Sequence, residues 1–471
     1  MKKLTIVLLI AVLAVSFAFA AFSGNANIQF NADLDNKDFG FANGTSFSFT
    51  FNLVTEEVKI AEGEGIHAEI SAKADLIAAT THKTGEDIAL VVNTTSDKAG
   101  YGAVVSISKA QIVGSNWYVS ILGAASGFDY AKASYIATYN KAVRDAWGFQ
   151  RATTWQASSF AASYAKAPGV TVGYDGYVAS VGFYRDHEKG TKASATFQTK
   201  EFKFSDDAIG VQAGVEASKK EGKEINTGLS VKGSVAIQDI TVKVAADFAL
   251  QNLRSGDENS KPYFAFDARA DFAYDFITAN VYAFVGDKDG KASLAEDYGM
   301  TATGKFYGLY LEAGADADLN AFDLPLAVGV SAANIIDKQK DAQLVAAGIG
   351  LSAYAEYAQD AITAGAAFDF NTASKDWSAN IYGAYAAEKF TAGANVALGG
   401  AEEFDTLSLG AFIESDALIQ GATVGANYGL SNNVAMNYGG SYATANGYNT
   451  NNFVADPAAI GTVGAYCIIR F

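Results

Sequence analysis

Apolar side chains recur at every second position of this chain, segment after segment, and a period of two admits strands while excluding amphipathic helices. Ala26, Ile28, Phe30, Ala32 and Leu34 alternate with Asn25, Asn27, Gln29, Asn31 and Asp33; Phe47, Phe49, Phe51 and Leu53 alternate with Ser46, Ser48, Thr50 and Asn52. The pattern returns over Ile66 to Leu76, Leu229 to Ile237, Ile240 to Leu250 and Phe264 to Phe272. Half of the residues are hydrophobic, yet after the first twenty no run reaches the roughly 18 apolar residues that a transmembrane helix needs. The apolar content is dispersed over strands, and the fold class expected is all-β.

Alternation alone leaves open which solvent the apolar face meets, because a soluble sandwich alternates too. Three observations favour lipid. Charges inside the predicted strands keep to one face: Glu69, Lys73 and Asp75, then Lys243 and Asp247, then Asp267, Arg269 and Asp271. A slip of one residue would turn them toward hydrocarbon, where Lys or Arg costs about 2–4 kcal/mol near the midplane, so the register is strongly fixed. Only four prolines occur, as expected of a closed antiparallel barrel that needs nearly every backbone donor. The 24 Tyr and 31 Phe suit aromatic girdles at two interfaces. The charged face is then the lumen wall.

At the N-terminus, Lys2 and Lys3 precede an apolar stretch from Leu4 to Phe17, followed by Ala18-Phe19-Ala20 in the small-x-small pattern of a cleavage site. Residues 1–20 are expected to be a cleaved signal peptide and 21–471 the transmembrane barrel. The single cysteine, Cys467, rules out an intrachain disulfide. Without Lys2 and Lys3 the chain carries 32 basic residues against 51 acidic, a charge of -19.

About 451 remaining residues, with strands of roughly 10 residues and alternating turns and loops, suggest about 22 strands, with 18 to 24 as the range. Short connections are expected at Gln238-Asp239 and Gln359-Asp360, and exposed polar loops at Lys219 to Asn226, Arg254 to Lys261 and Asn446 to Asn452. Beyond about Ala333, counting up and down leaves long connections on both sides of the sheet. No linker or second domain is legible.

The last nine residues alternate as well: Val463, Ala465, Cys467, Ile469 and Phe471 against Gly464, Tyr466, Ile468 and Arg470. This ending, with Tyr466, Ile469 and the terminal Phe471 as the barrel-assembly signal, resembles the C-terminal signature of bacterial outer-membrane β-barrels. Asn427 to Val434, followed by alternating Ala435, Asn437, Gly439 and Ser441, resembles the tight periplasmic turn before the final loop of general porins. The resemblance implies an outer-membrane location in a diderm bacterium, contact with outer-membrane lipids and the outer-membrane assembly machinery, passage of small hydrophilic solutes, and a homotrimer.

Residues 126–168 form the third connection on the side opposite the C-terminus, and in porins that loop folds inward and narrows the pore. Ile136, Tyr139, Val143 and Ala146 recur at helical spacing, so this inserted loop is expected to be partly helical. It carries five basic residues against two acidic ones, in a chain that is acidic overall. Lys141, Arg144, Asp145, Trp147, Arg151 and Trp155 are the candidate pore constriction, and a basic loop beside an acidic wall sets a transverse field. The alternative is a surface cap over the barrel rim.

Catalysis has little to stand on. His67, His82 and His187 are scattered, and no local Ser, Asp and His arrangement is legible. Asp287-Lys288-Asp289-Gly290 lacks the third acidic position and the distal Glu of a calcium loop and reads as a turn. No cofactor motif occurs, and the acidity argues against nucleic acid. Two classes remain: a water-filled diffusion channel weakly favouring cations, and a structural or adhesive surface protein acting through its loops. Small inward residues such as Asn27, Ser48, Thr50, Ser230 and Ser234 favour the channel.

Overall fold

The long alternating segments are strands in the computed structural model, and the 26 strands among the described residues belong to one antiparallel sheet. The structure describes residues 20–470 apart from 36, 42–45, 55–57, 62–63, 80–88, 92–99, 125–129, 132–167, 187–189, 206–207, 220–224, 252, 254–262, 287–307, 334–348, 374, 402 and 432–459. The signal peptide, except for Ala20, and Phe471 lie outside the described residues. So do His82, His187, residues 287–290 and the helical stretch around 136–146.

The first strands are β1 (Ala20–Asp33), β2 (Asp38–Phe41), β3 (Ser46–Val54), β4 (Val58–Ala61), β5 (Glu64–Ala79), β6 (Ala89–Val91), β7 (Gly100–Val113), β8 (Trp117–Ala124) and β9 (Pro168–Tyr174). There follow β10 (Tyr177–Asp186), β11 (Gly190–Gln198), β12 (Phe202–Phe204), β13 (Ile209–Lys219), β14 (Ile225–Ile237), β15 (Ile240–Gln251), β16 (Tyr263–Tyr274), β17 (Ile277–Gly286) and β18 (Gly308–Asp318). The last are β19 (Leu326–Ala333), β20 (Gly350–Gln359), β21 (Ile362–Asn371), β22 (Asp376–Ala386), β23 (Thr391–Ala401), β24 (Glu403–Ile419), β25 (Ala422–Ser431) and β26 (Thr462–Arg470). A 3-10 turn, Leu319–Phe322, is the one helical element among the described residues.

Four short strands, β2, β4, β6 and β12, pair on one side only, so the excess over the expected count of about 22 lies in these fragments. The others each have a partner on both sides. The last strand pairs with the first over nine residues, from Asn25 opposite Arg470 to Asp33 opposite Thr462.

Connections differ between the two ends of the sheet. At one end all are short, the longest strand-free run being 319–325, and they include 114–116, 175–176, 238–239, 275–276, 360–361 and 420–421. In the turn between β9 and β10, Asp175 (φ 47°) and Gly176 (φ 83°) both take positive φ, the backbone of a type I′ hairpin turn whose twist matches the strands. The other end carries the longer connections 80–99, 125–167, 287–307, 334–349 and 432–461, the first of them interrupted by β6.

Two sequence expectations are corrected here. Long connections do not fall on both sides beyond Ala333: β19 to β26 alternate regularly, with the tight turn at 360–361 one residue later than expected. Asn427 to Ser431 is no turn but the end of strand β25, and the short turn lies at 420–421. Glycine and asparagine at 427–434 suggested a bend, but Tyr428 and Leu430 continue the apolar alternation, and pairing on both sides to Gly429 and with β24 to Ser431 holds the backbone extended.

The two faces differ as the alternation requires. On β15, Val244 is 51% exposed and Asp247 3%; on β17, Val281 is 40% exposed and Tyr282 1%. The large exposed side chains Phe183, Phe266, Phe272, Phe368 and Ile381 share one face. The buried polar residues Ser230, Asp267, Ser352, Asp369, Asn395 and Asn427 share the other. The described residues hold no helix long and apolar enough to cross a membrane, a statement that does not bear on strands.

Candidate functional site: the polar face of the sheet

The polar face is built where inward charges of neighbouring strands meet in register. On β15 and β16, Lys243 stands opposite Asp271, and Asp247 opposite Asp267. Two facing carboxylates destabilise a strand pair by a few tenths to about 1 kcal/mol. Here hydrogen bonds offset that repulsion. Asp267 accepts from the Tyr282 hydroxyl at 3.0 Å, and the Asp247 carboxylate accepts the backbone N–H groups of Tyr130 (3.1 Å) and Ala131 (2.6 Å). Hydrogen bonds to a charged acceptor contribute about 1.5–3 kcal/mol each, more than the repulsion. Arg269 holds Asp271 through Nε at 2.9 Å and Nη2 at 2.7 Å, and Lys243 is exposed.

Tyr130 and Ala131 are the described residues of the segment that follows β8, and both reach the polar face well beyond their own neighbours β8 and β9. The Lys232 ammonium on β14 lies 4.6 Å from the centre of the Tyr130 ring, the Tyr130 hydroxyl accepts from Gln198 of β11, and Ala131 is fully buried. The candidates Lys141, Arg144, Asp145, Trp147, Arg151 and Trp155 lie outside the described residues.

On β5, Glu69 pairs with Lys109 of β7, accepts from Gln111 Nε2 at 2.8 Å and lies 3.2 Å from His67 Nε2. Lys73 is exposed between the positions of Thr50 and Ser106, and Asp75 stands in register with Ser48 and Val104. The predicted wall residues are thereby spread over β5, β15 and β16, and only the last two strands bring theirs together.

Three features of the polar face escaped the sequence. Carboxylate, glycine and tyrosine stand directly opposite one another across three consecutive strands: Asp316, Gly329 and Tyr354; Glu356, Gly365 and Tyr382; Glu414, Gly425 and Tyr466. The Tyr382 hydroxyl donates to Glu356 at 2.7 Å and the Tyr466 hydroxyl to Glu414 at 2.9 Å, while the Tyr354 ring and the Asp316 carboxylate meet over Gly329. A Cβ built on any of the three glycines would overlap the tyrosine that crosses it. Members of a row lie between nine and 52 positions apart, so no local spacing announces them. Tyr466, expected as part of an assembly signal, is 3% exposed and belongs to the third row; Ile469 is 39% exposed on the opposite face.

The described residues contain no group of three or more His, Cys, Asp or Glu placed to hold a metal ion. No protein-family model matches the chain, and no curated protein does. Among solved structures, the translocation pore of the P pilus usher PapC aligns at 9% identity over 96% of this chain and 99% of its own, with a TM-score of 0.36. A BenF-like porin from Pseudomonas fluorescens Pf-5 aligns at 9% identity over 96% and 97%, with a TM-score of 0.38. OccK5 (OpdH) of Pseudomonas aeruginosa aligns at 8% identity over 96% and 98%, also at 0.38. Likeness at this level decides nothing about what the chain does; the arrangement of its own wall carries the reading.

Proposed function

We propose that the chain is an outer-membrane diffusion channel, a single closed barrel of 22 strands around a water-filled lumen that passes small hydrophilic solutes and ions. The observation that carries this reading is the pairing of β1 with β26 in a sheet whose polar residues share one face and whose large apolar residues share the other. A sheet with no unpaired long edge and an apolar outer face satisfies its backbone without water, which is what hydrocarbon demands. A polar inner face then borders an aqueous path.

Cation preference is supported by the wall's charge distribution. Strands β17 to β25 contain no Lys or Arg, yet carry Asp316, Glu356, Asp369 and Glu414 on the polar face. An inward position for residues 126–168 is supported by the grip of Asp247 on Tyr130 and Ala131. Lys141, Arg144, Asp145, Trp147, Arg151 and Trp155 would then narrow the lumen. Export by a signal peptide at 1–20, insertion by the assembly machinery and a homotrimeric state belong to the same proposal, as does action without chemistry on the solute.

Purified full-length chain in a planar lipid bilayer tests it. Discrete single-channel steps are expected, and their absence overturns the channel. Deleting residues 126–168 should raise unitary conductance; an unchanged conductance and reversal potential would remove the constriction and leave the channel.

A further inference from the structure

Basic residues of the described strands occupy polar-face positions, as Lys73, Lys232, Lys243 and Arg269 do, with two exceptions. Arg185 continues the apolar row Val181 and Phe183 on β10, and Lys219 continues Val215 and Ala217 on β13. No Asp or Glu stands on that face of β10, β11, β13 or β14. Both exceptions lie at the end of the sheet with the longer connections, Arg185 one residue before the end of β10 and Lys219 at the end of β13. One strand separates them: on β11, Thr191 stands opposite Arg185, and Ala193 stands opposite both Phe183 and Lys219. Two strand spacings and a step of two residues put their Cα atoms about 12 Å apart, with only short side chains between. Neither has an ion pair or hydrogen bond among the described residues, whereas Lys200 at the other end is paired with Asp175 at 2.8 Å. The connections that follow, 187–189 and 220–224, carry three Lys against three Glu, so they add no net charge to cancel the pair.

We propose that Arg185 and Lys219 bind the phosphate group of an anionic membrane lipid in the leaflet at the loop end, with its acyl chains against Val181, Phe183, Ala195 and Ala217. A basic residue on the lipid face of a barrel costs most at the midplane and little near the interfaces, where long side chains carry their charge out to the headgroups. The guanidinium offers a fork of donors that matches phosphate, and the ammonium adds a second charge on a flexible stem. Beside them the acyl chains find an apolar surface, on which Phe183 is 66% exposed and Val181 61%. The chain as a whole carries a charge of -17, which repels an anionic bilayer, so a preference for such a lipid reports a local site. In a membrane barrel the longer connections face outside, so the leaflet concerned is the outer one. The proposal rests on the reading of the apolar face as the one that meets lipid.

The test is the temperature at which the folded band of the full-length chain converts on a gel, in vesicles of phosphatidylcholine alone and of phosphatidylcholine mixed with phosphatidylglycerol. A lipid that binds the folded chain raises its apparent stability. Adding phosphatidylglycerol should raise the temperature for the wild type and equally for K37Q, which removes an exposed charge at the same end of the sheet outside the pair. R185Q and K219Q should each show a smaller rise, and R185Q/K219Q none. In phosphatidylcholine alone R185Q/K219Q should match the wild type, which shows that it folds; a deficit of the same size in both vesicles overturns the proposal. Soluble glycerol phosphate added to phosphatidylcholine vesicles should give no rise, and a rise there overturns the lipid as the source of the phosphate. No rise in the wild type, or a full rise in R185Q/K219Q, overturns the proposal and leaves the apolar face toward lipid. A chain that forms no heat-modifiable band in either vesicle overturns that reading and this one with it.

Discussion

Asp35 and Gly461 lie 426 positions apart in sequence, and the Asp35 carboxylate accepts the Gly461 N–H at 2.7 Å. The same carboxylate accepts from Ile460, and Leu34 donates its own N–H to the Gly461 carbonyl at 3.0 Å. Gly461 has a φ of 96°, so the chain enters β26 through a conformation that glycine tolerates best, and Asp35 satisfies its donors there. Asp35→Ala should weaken the junction of the first and last strands by roughly 1–3 kcal/mol. The check is the temperature at which the folded band converts on a gel. It should fall for Asp35→Ala and stay put for alanine at exposed Lys37.

Gly365 sits beneath the Tyr382 ring, and an added methyl group would overlap the hydroxyl end of that ring. Gly365→Ala should therefore cost about 1–3 kcal/mol through forced displacement of the ring. The double variant Gly365→Ala with Tyr382→Ala should cost less than the sum of the two single changes. Additive losses in a denaturant titration would show that the overlap is not the cause.

Asp247 holds two successive backbone N–H groups of the segment after β8. Asp247→Ala removes both acceptors and should increase protease cleavage within residues 126–168 and raise the single-channel conductance. Asp247→Asn keeps one acceptor oxygen and should fall between wild type and alanine on both measures. Equal cleavage in all three proteins would count against the anchor.

Val244 and Ala245 are neighbours on β15 and face opposite ways. Arginine at 244 should cost about 2–4 kcal/mol when the sheet enters a bilayer, while arginine at 245, on the polar face between Lys232 and Arg269, should cost less, a few tenths to about 1 kcal/mol for each like-charge pair. Folding into liposomes, read by the fraction of heat-modifiable protein, separates the two. Similar yields would contradict the assignment of the outer face.

Strand positions and the two faces were legible because both depend on a local period: Val244, Lys243 and Asp247 announce their sides from sequence alone. The side taken by Asp267, Arg269 and Asp271 was legible for the same reason. Strand count was less legible, because β2, β4, β6 and β12 are short fragments that pair on one side, and pairing on the other side has no local signature. Asn427 to Ser431 was misread because glycine and asparagine carry a turn signal that pairing on both flanks overrides. The rows through Gly329, Gly365 and Gly425 were invisible, since each depends on the register of three strands at once.

The junction between β1 and β26 also dictates an order of events. Every other adjacent pair of long strands can form soon after its second member emerges, whereas Asn25 must wait for Arg470, synthesised at the far end of the chain. Until then the first and last available strands expose ladders of donors and acceptors that invite pairing with foreign chains. This contact between sequence-distant residues is slow to form. A chain truncated before Thr462 would keep β1 and β25 as two unpaired borders, so completion of the sheet depends on residues 462–470.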